Sequence, residues 1–243
     1  MKIFITGVSS GIGKEFVIRA INQGHEVWGL ARRKELLEEL KKELGNNLKF
    51  SVCNIEDPED MRQTAAKMRR ENFLPDVVVL NAAVKLNDAE KLIPFESVKS
   101  SVGININGSL FWVSEFLPDF INRNSGTFIA TSSTAALRPV KDSISYSATK
   151  SALDMAFQCL RLNYSDKNIK FTTVRFGPIE TAMWEGSKSF LVSSPKKASK
   201  FIFSLVDKKS GIYYFPFLST LIFRLLLFLP DKTFGIITSL IKK

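Results

Sequence analysis

The chain is poor in the side chains that build metal clusters and disulfide frameworks. Its 243 residues include two cysteines, Cys53 and Cys159, and one histidine, His25. The cysteines have no ligand-like spacing, so the composition argues against a zinc site and against a fold held by disulfides. We therefore expect no resident metal and two reduced thiols in the core, and we assign His25 no role.

A long uninterrupted apolar run is also missing. The most apolar segment, residues 211–230, contains Pro216 and Arg224, whereas a membrane-spanning helix needs about 20 consecutive apolar residues. The apolar run at the N-terminus is too short for a signal peptide and lacks a cleavage site. We expect a cytoplasmic protein without a transmembrane span, and peripheral contact at the inner membrane face stays open.

Acidic residues are scarce only in the last quarter of the chain. Residues 1–186 hold 24 basic and 22 acidic side chains, whereas residues 187–243 hold ten and two. Basic residues beside apolar ones suit an anionic membrane surface, but they also occur on ordinary solvated surfaces. They follow no aromatic or helix-turn-helix pattern, so we expect no nucleic-acid partner.

Short apolar runs alternate with segments of helical period along most of the chain. Runs such as Lys2–Thr6 and Ile169–Phe176 have the length and apolar character of buried strands. Strands alternating with helices predict a parallel sheet covered on both faces. The sequence thus predicts an α/β fold, a doubly wound parallel sheet of the Rossmann type, over residues 1–216. An apolar helical extension over residues 217–243 follows it.

A glycine-rich turn lies between the first predicted strand and the first predicted helix. Its sequence over residues 6–13 is TGVSSGIG. Glycines let the backbone approach a pyrophosphate, and the helix N-terminus offers free N–H groups and a positive dipole end. The turn predicts a dinucleotide-binding loop, with a plain glycine-rich turn as the alternative.

The end of the second predicted strand should meet the ribose of such a dinucleotide. An acidic residue there favours NAD, but this chain has Arg32, Arg33 and Lys34. Arg32 is the best candidate for a charge-assisted contact with a 2′-phosphate, whereas Arg33 and Lys34 fit the solvated start of a helix better. We predict NADP(H) as the cofactor, with NADPH preferred over NADH.

Tyr146 and Lys150 lie four residues apart near the start of a predicted helix over residues 145–163. That spacing puts both on one helix face, where the ammonium should lower the tyrosine pKa. Tyr146 then fits a general acid for carbonyl reduction or a base for alcohol oxidation. Ser133 ends a predicted strand and fits a donor to the substrate oxygen. Taken singly, each pattern is also common on ordinary helices and strand ends.

Together these motifs resemble the short-chain dehydrogenase/reductase family. The resemblance covers about three quarters of the chain, up to about residue 183, in the family's order and spacing. The matching positions are Thr6, Gly7, Gly11, Gly13, Asn81, Ala82, Ala83, Asn105, Gly108, Ser133, Tyr146, Lys150, Gly177 and Thr181.

The resemblance implies a role for each of four catalytic positions. Tyr146 would donate or accept the proton, and Lys150 would lower its pKa and bind the nicotinamide ribose. Ser133 would orient the substrate oxygen. Asn105 would hold a water through a helix kink and complete a proton relay to Lys150.

The resemblance also implies a cofactor-binding set. Asn81 would lie beside the adenosine ribose, and Thr181 with the backbone of Ile179 would meet the carboxamide or pyrophosphate. Asn54 stands where the family usually has an aspartate that contacts the adenine. The full set is Gly7, Ser9, Ser10, Gly11, Ile12, Gly13, Arg32, Arg33, Asn54, Ile55, Asn81, Ala82, Ala83, Tyr146, Lys150, Gly177, Ile179 and Thr181.

Substrate selection should come from the loops that follow the strands. Arg138 and Lys141 are the candidates for contact with an anionic group. Met183, Trp184 and Phe190 fit either an apolar lid or ordinary packing against the C-terminal segment. We favour a small carbonyl or alcohol substrate that is apolar or lipid-like.

The helices predicted over residues 217–229 and 231–241 form an addition to the family fold, which usually ends near its last strand. An all-apolar helix is either buried or in contact with lipid. Three alternatives remain: a peripheral membrane anchor, a lid or homo-oligomer interface, and a docking surface for another protein.

We therefore expect an NADP(H)-dependent oxidoreductase that interconverts a carbonyl and an alcohol by hydride transfer, with Tyr146 as the general acid or base. A catalytically silent NADP-binding sensor on the same fold is the alternative. We also expect a homo-oligomer.

Overall fold

The computed structural model describes residues 1–86, 93–140, 143–184 and 189–241, the last five by their backbone only. Seven strands of this part form one parallel sheet in the order β3-β2-β1-β4-β5-β6-β7. The strands are β1 (Lys2–Thr6), β2 (Glu26–Ala31), β3 (Leu48–Val52), β4 (Val77–Leu80), β5 (Gly126–Ser133), β6 (Ile169–Phe176) and β7 (Gly211–Phe215).

Helices connect the strands and continue after the last one. They are α1 (Gly11–Asn22), α2 (Lys34–Leu44), α3 (Pro58–Arg70), α4 (Phe95–Val102), α5 (Gly108–Arg123), α6 (Ile144–Asn163), α7 (Pro195–Ser204), α8 (Phe217–Leu225) and α9 (Asp231–Ile241). A π-helical turn, Gly103–Asn107, joins α4 to α5, and 3-10 turns occupy Thr134–Ala136 and Leu226–Phe228.

Two apolar cores lie on the two faces of the sheet. Phe16 of α1, Leu37 of α2 and Ile202 of α7 belong to one core, and Trp112 of α5 and Phe157 of α6 belong to the other. Every strand pair is parallel, so strands buried on both faces carry near-continuous apolar runs. The predicted α/β class and the doubly wound parallel sheet are confirmed.

The first C-terminal helix is shorter than the sequence predicts. The apolar pattern predicts one helix over residues 217–229, but α8 ends at Leu225 and a 3-10 turn follows. Arg138 donates to the carbonyl oxygens of Leu226 and Leu227. This distant guanidinium satisfies carbonyls at the helix end, where no intrahelical N–H is available.

The two cysteines lie in different surroundings. Cys53 is buried, and burial raises the pKa of its thiol to about 12. Cys159 is exposed on α6, so the expectation of a core thiol is wrong there. Its position follows from the helix period, which turns residue 159 away from the sheet while Phe157 faces it.

Among the described helices, none is both long enough and apolar enough to cross a bilayer.

Candidate active site

A cavity of about 500 Å³ opens at the carboxyl ends of the strands. In the sheet, β1 has β2 on one side and β4 on the other, so the strand order reverses direction between β1 and β4. Open α/β sheets bind ligands at such a topological switch point. Nearly all the sequence-predicted site residues line this one cavity. Gly13 and Asn105 are the two that do not.

The glycine-rich turn is bound to the end of β4 by Asn81. Asn81 Nδ2 donates to the carbonyl oxygens of Thr6 and Gly7 at 3.1 and 3.2 Å. Thr6 Oγ1 accepts from the backbone N–H groups of Asn81 and Ala82 at 3.1 and 3.0 Å. Gly7 has φ +77°, a conformation that favours glycine. The turn is therefore fixed before any ligand arrives.

Gly13 acts behind this turn rather than in the cavity wall. A Cβ atom at residue 13 would lie 2.1 Å from the carbonyl oxygen of Gly7 and 2.7 Å from Asn81 Nδ2. Only a glycine lets α1 approach the turn so closely, which brings the N-terminus of α1 to the cavity. Ser10, the N-cap residue of α1, makes no side-chain capping bond, so its hydroxyl does not occupy the N–H groups that start the helix.

Arg33 joins the second strand to the glycine-rich turn. Its Nη2 atom donates to Ser9 Oγ at 2.7 Å and to Ser10 Oγ at 2.8 Å. The view of Arg33 as a merely solvated helix start is wrong, because its guanidinium lies across two hydroxyls of the loop. Lys34 does lie on a solvated helix start, since its Nζ atom pairs with exposed Glu38 at 3.6 Å. Arg32 is exposed and also lines the cavity.

At the other end of the cavity, α6 places Tyr146 against Ser133 at the end of β5. The Ser133 hydroxyl acts on the Tyr146 hydroxyl to lower its pKa, and Ser133 Oγ accepts from the backbone N–H of Ala135 at 3.1 Å. Lys150 is buried one helical turn further along. Its Nζ atom donates to the carbonyl oxygen of Thr131 at 2.8 Å and lies 5.7 Å from the Tyr146 ring centroid.

The pKa of Tyr146 differs from the sequence-based expectation. Burial raises this pKa, and the hydrogen bond with Ser133 opposes the shift. The net direction is therefore opposite to the expectation, because burial is the largest cause and the Lys150 ammonium donates to a backbone carbonyl. Burial also lowers the pKa of Lys150 itself to about 8, against the opposing charge of Asp154.

Asn105 lies in the π-helical turn and is buried behind the cavity wall. Its Nδ2 atom donates to the carbonyl oxygen of Val84 and to Thr149 Oγ1, both at 3.0 Å, and its Oδ1 accepts from the Val84 N–H at 2.8 Å. The kink expected at this position is present as the π turn. The side chain uses both amide protons to join the loop after β4 to α6, and neighbouring Ile104 lines the cavity instead.

One wall of the cavity comes from α8, which agrees with the lid alternative for the C-terminal helices, although the sequence analysis named no residue of this wall. Phe223 lines the cavity together with Val140, Phe176 and Trp184. Ser219, on the same face of α8, is buried against Gly177. The two small residues Ser219 and Thr220 within an apolar helix were the available signal, because small side chains often mark a close helix contact. Thus α8 packs over the end of the cavity that holds Tyr146.

Arg138 fastens this C-terminal segment and does not face the cavity. Besides the carbonyls after α8, it binds the carbonyl oxygen of Leu229 and pairs with Asp231 at 2.5 Å. Its Cζ atom lies 4.9 Å from the Phe234 ring centroid. The suggested contact of Arg138 with an anionic substrate group is therefore wrong. Lys141, the other candidate, lies outside the described residues.

The chain matches known proteins over most of its length. A family model described as short chain dehydrogenase matches residues 1–191. An NADP-dependent 3-hydroxy acid dehydrogenase of Escherichia coli is 29% identical over 178 residues, which are 73% of this chain and 72% of that protein. L-xylulose reductase of Caenorhabditis elegans is 29% identical over 184 residues, 75% of this chain and 73% of that protein.

These matches, on a doubly wound α/β fold, define an oxidoreductase. The chain belongs to the short-chain dehydrogenase family.

The C-terminal helices have a counterpart in a solved structure. The crystal structure of a short-chain dehydrogenase from Streptomyces avermitilis has a TM-score of 0.85 and 22% identity, and it covers 99% of this chain and 96% of that one. Serine dehydrogenase from Escherichia coli, by contrast, covers 88% of this chain and 96% of that one, so the addition of these helices to the usual family fold stays a prediction.

Proposed function

We propose that the protein is an NADP(H)-dependent oxidoreductase that interconverts a carbonyl and an alcohol. The observation that carries the proposal is one continuous cavity with different chemistry at its two ends. Arg33 with Ser9 and Ser10 lies at one end, and Tyr146 with Ser133 lies at the other. The proposal treats residues 1–216 as the catalytic domain and residues 217–243 as an extension that docks on it.

The described residues fit a dinucleotide. The uncapped N-terminus of α1 and the glycine-rich turn offer N–H groups to a pyrophosphate. Asn54 and Ile55 line the cavity where an adenine would rest, and Gly177, Ile179 and Thr181 line it towards a nicotinamide. When bound, a reduced nicotinamide supplies the hydride to the carbonyl carbon.

The proposed proton chemistry belongs to the side chains at the α6 end. Ser133 and Tyr146 donate hydrogen bonds to the substrate oxygen, where negative charge develops. Tyr146 transfers its proton to that oxygen and becomes a phenolate, which the Lys150 ammonium stabilises. Oxidation of the alcohol runs through the same groups in reverse. Asn105 joins the loop after β4 to helix α6 through two hydrogen bonds with Val84 and one with Thr149.

An apolar substrate is favoured by the cavity wall at this end. Val140, Phe176, Trp184 and Phe223 contribute apolar surface near Tyr146, and Arg138 is engaged with the C-terminal segment. A charged substrate group would lose its hydration there without gaining a partner from that arginine. We propose an apolar or lipid-like carbonyl compound.

The test is a turnover assay with a panel of apolar aromatic and alkyl carbonyls, and charged keto acids for comparison. We expect NADPH to support reduction of apolar members at a kcat/KM at least about tenfold above NADH. Replacing Arg33 with alanine should remove most of that preference, because the guanidinium would pair with the 2′-phosphate. Lys34→Ala is the matched control and should leave the preference unchanged.

Equal use of the two cofactors by the wild-type chain would contradict the NADP(H) proposal. Tight NADPH binding without turnover of any panel member would instead favour the sensor function.

We further propose a cytoplasmic protein that touches an anionic membrane through the outer face of α8. Phe217 is 72% exposed and Phe228, in the turn that follows, is 86% exposed, and Leu218 and Leu225 are exposed on the same helix. Arg224 is the sole charged residue of α8, and Asp231, at the start of α9, is paired with Arg138. An apolar face without free acidic charge suits anionic lipid.

Flotation with phosphatidylcholine vesicles, with and without phosphatidylserine, tests this contact. We expect the full chain to float with the anionic vesicles, and Phe217→Ser to lower the vesicle partition constant about tenfold or more, as the loss of one buried phenylalanine implies. Phe95→Ser is the matched control, since Phe95 is 73% exposed on α4.

Absence of wild-type flotation would contradict the membrane proposal, as would equal losses in both variants.

We also propose that the protein is a homo-oligomer. If Phe217→Ser changes the sedimentation coefficient instead of flotation, this face binds a second copy and not lipid.

A further inference from the structure

A buried ion pair lies beneath the catalytic residues. Asp154 of α6 is 3% exposed, and its Oδ2 atom accepts from Arg175 Nε at 2.5 Å. The other carboxylate oxygen, Oδ1, is buried and accepts no hydrogen bond from the described residues. A buried carboxylate with one unpartnered oxygen is costly for the fold.

The ion pair is aligned with the catalytic groups. Tyr146, Lys150 and Asp154 follow at four-residue intervals and share one face of α6. Lys150 binds the carbonyl of Thr131 on β5, and Asp154 binds Arg175 on β6. Thr131 and Arg175 lie side by side in the sheet, because Ser132, the residue after Thr131, pairs with Arg175. These two contacts hold consecutive turns of α6 against neighbouring strands.

Arg175 also has a hydrogen-bond partner on β7. Its Nη1 atom donates to Tyr214 Oη of β7 at 2.7 Å. The Cζ atom of Arg224, on α8, lies 4.7 Å from the Tyr214 ring centroid. The guanidinium of Arg175 therefore has a fixed orientation between α6 and β7, and Asp154 receives a rigid partner.

We propose that Asp154 is a positioning residue whose buried carboxylate, clamped by Arg175, keeps Lys150 in the ammonium form that supports Tyr146. This inference rests on the proposed function, in which Lys150 stabilises the Tyr146 phenolate.

The electrostatics around Lys150 agree with this role. Burial lowers the Lys150 pKa to about 8, and Asp154 is the charged group that opposes the shift. The other ionisable groups near this face are Tyr146 and Arg161 on α6, Arg175 on β6 and Tyr214 on β7. Strand β5 carries no charged residue, and Glu96 and Lys99 of α4 are exposed and pair with each other. Loss of the Asp154 charge should therefore lower the Lys150 pKa further.

The test measures the Lys150 pKa by NMR of labelled lysine, with Lys150→Arg for assignment. In parallel it measures the pH profile of kcat/KM with NADPH and benzil, an apolar diketone, as the probe. We expect Asp154→Asn to move both the Lys150 titration and the basic limb of the profile down by about one pH unit. Asp154→Glu keeps a carboxylate and should return both the Lys150 titration and the basic limb most of the way to their wild-type positions.

Two further variants separate positioning from folding. Asp154→Asn leaves the Arg175 charge buried and can destabilise the chain, so the double variant D154N/R175Q removes both charges of the pair together. It should still show a downward shift, smaller than that of D154N because the Arg175 charge, which disfavours the Lys150 ammonium, is removed as well. Arg175→Gln alone keeps the carboxylate and should leave the limb at or above its wild-type position.

A uniform loss of kcat/KM with no movement of the limb or of the Lys150 titration would overturn the inference and leave Asp154 a structural residue. The NMR titration does not need turnover. If the wild-type chain reduces no carbonyl but its Lys150 pKa still falls in D154N, the proposed function fails and the electrostatic coupling of Asp154 to Lys150 stands.

Discussion

Replacing Tyr146 with phenylalanine is expected to lower kcat by about 10³-fold or more while NADPH affinity stays within about twofold of the wild type. The change removes the hydroxyl proposed to transfer the proton and leaves the ring in place. Lys150 keeps its own contact with the Thr131 carbonyl. The cavity and the glycine-rich turn should therefore be unchanged, and the loss should fall on proton transfer alone.

The measurement is steady-state turnover of an active panel carbonyl together with a fluorescence titration of NADPH. Tyr164→Phe removes a hydroxyl just beyond the end of the same helix and serves as the control, which should keep wild-type turnover. A Tyr146→Phe variant that keeps more than a tenth of the wild-type kcat would refute the role of Tyr146 as the general acid.

Replacing Gly13 with alanine is expected to weaken NADPH binding about 100-fold or more and to lower the free energy of unfolding by about 1–3 kcal/mol. The new Cβ atom would lie 2.1 Å from the carbonyl oxygen of Gly7. Gly7 cannot yield easily, because its N–H donates to the Leu30 carbonyl at 2.8 Å and its carbonyl accepts from Asn81. We expect α1 to move away from the turn and the proposed pyrophosphate site to open.

Urea unfolding and an NADPH titration check both effects. Gly235→Ala is the matched control, since a Cβ atom at that position of α9 meets nothing within 4 Å. Wild-type NADPH affinity in the Gly13→Ala variant would mean that the close approach of α1 to the turn has no part in binding the cofactor.

The sequence predicts the sheet and its cavity well because their signals are local. The apolar runs of β1 and β6 begin and end where the structure has them. The interval between Tyr146 and Lys150 corresponds to about one turn of a helix, so their shared face follows from the helix period alone. The glycine spacing before α1 is likewise a short-range feature that only a tight strand-to-helix turn requires.

Electrostatic environment could not be read in the same way. The spacing correctly places an ammonium near Tyr146, but burial reverses the expected direction of the tyrosine pKa. Burial depends on everything packed around the cavity, including α8, and no local pattern reports it. The same reason explains Cys159, whose exposure depends on which side of α6 meets the sheet.

The sequence by itself determined the order of strands and helices, the dinucleotide-type turn and the spacing of the catalytic groups, since each is encoded within a few residues. Tertiary structure alone decided that Arg33 donates to Ser9, that Arg138 binds the C-terminal segment and that Phe223 lines the cavity. These contacts join residues 24 to 93 positions apart in the first two cases. Contacts at such separations form only when the whole sheet has brought its connections to the same edge.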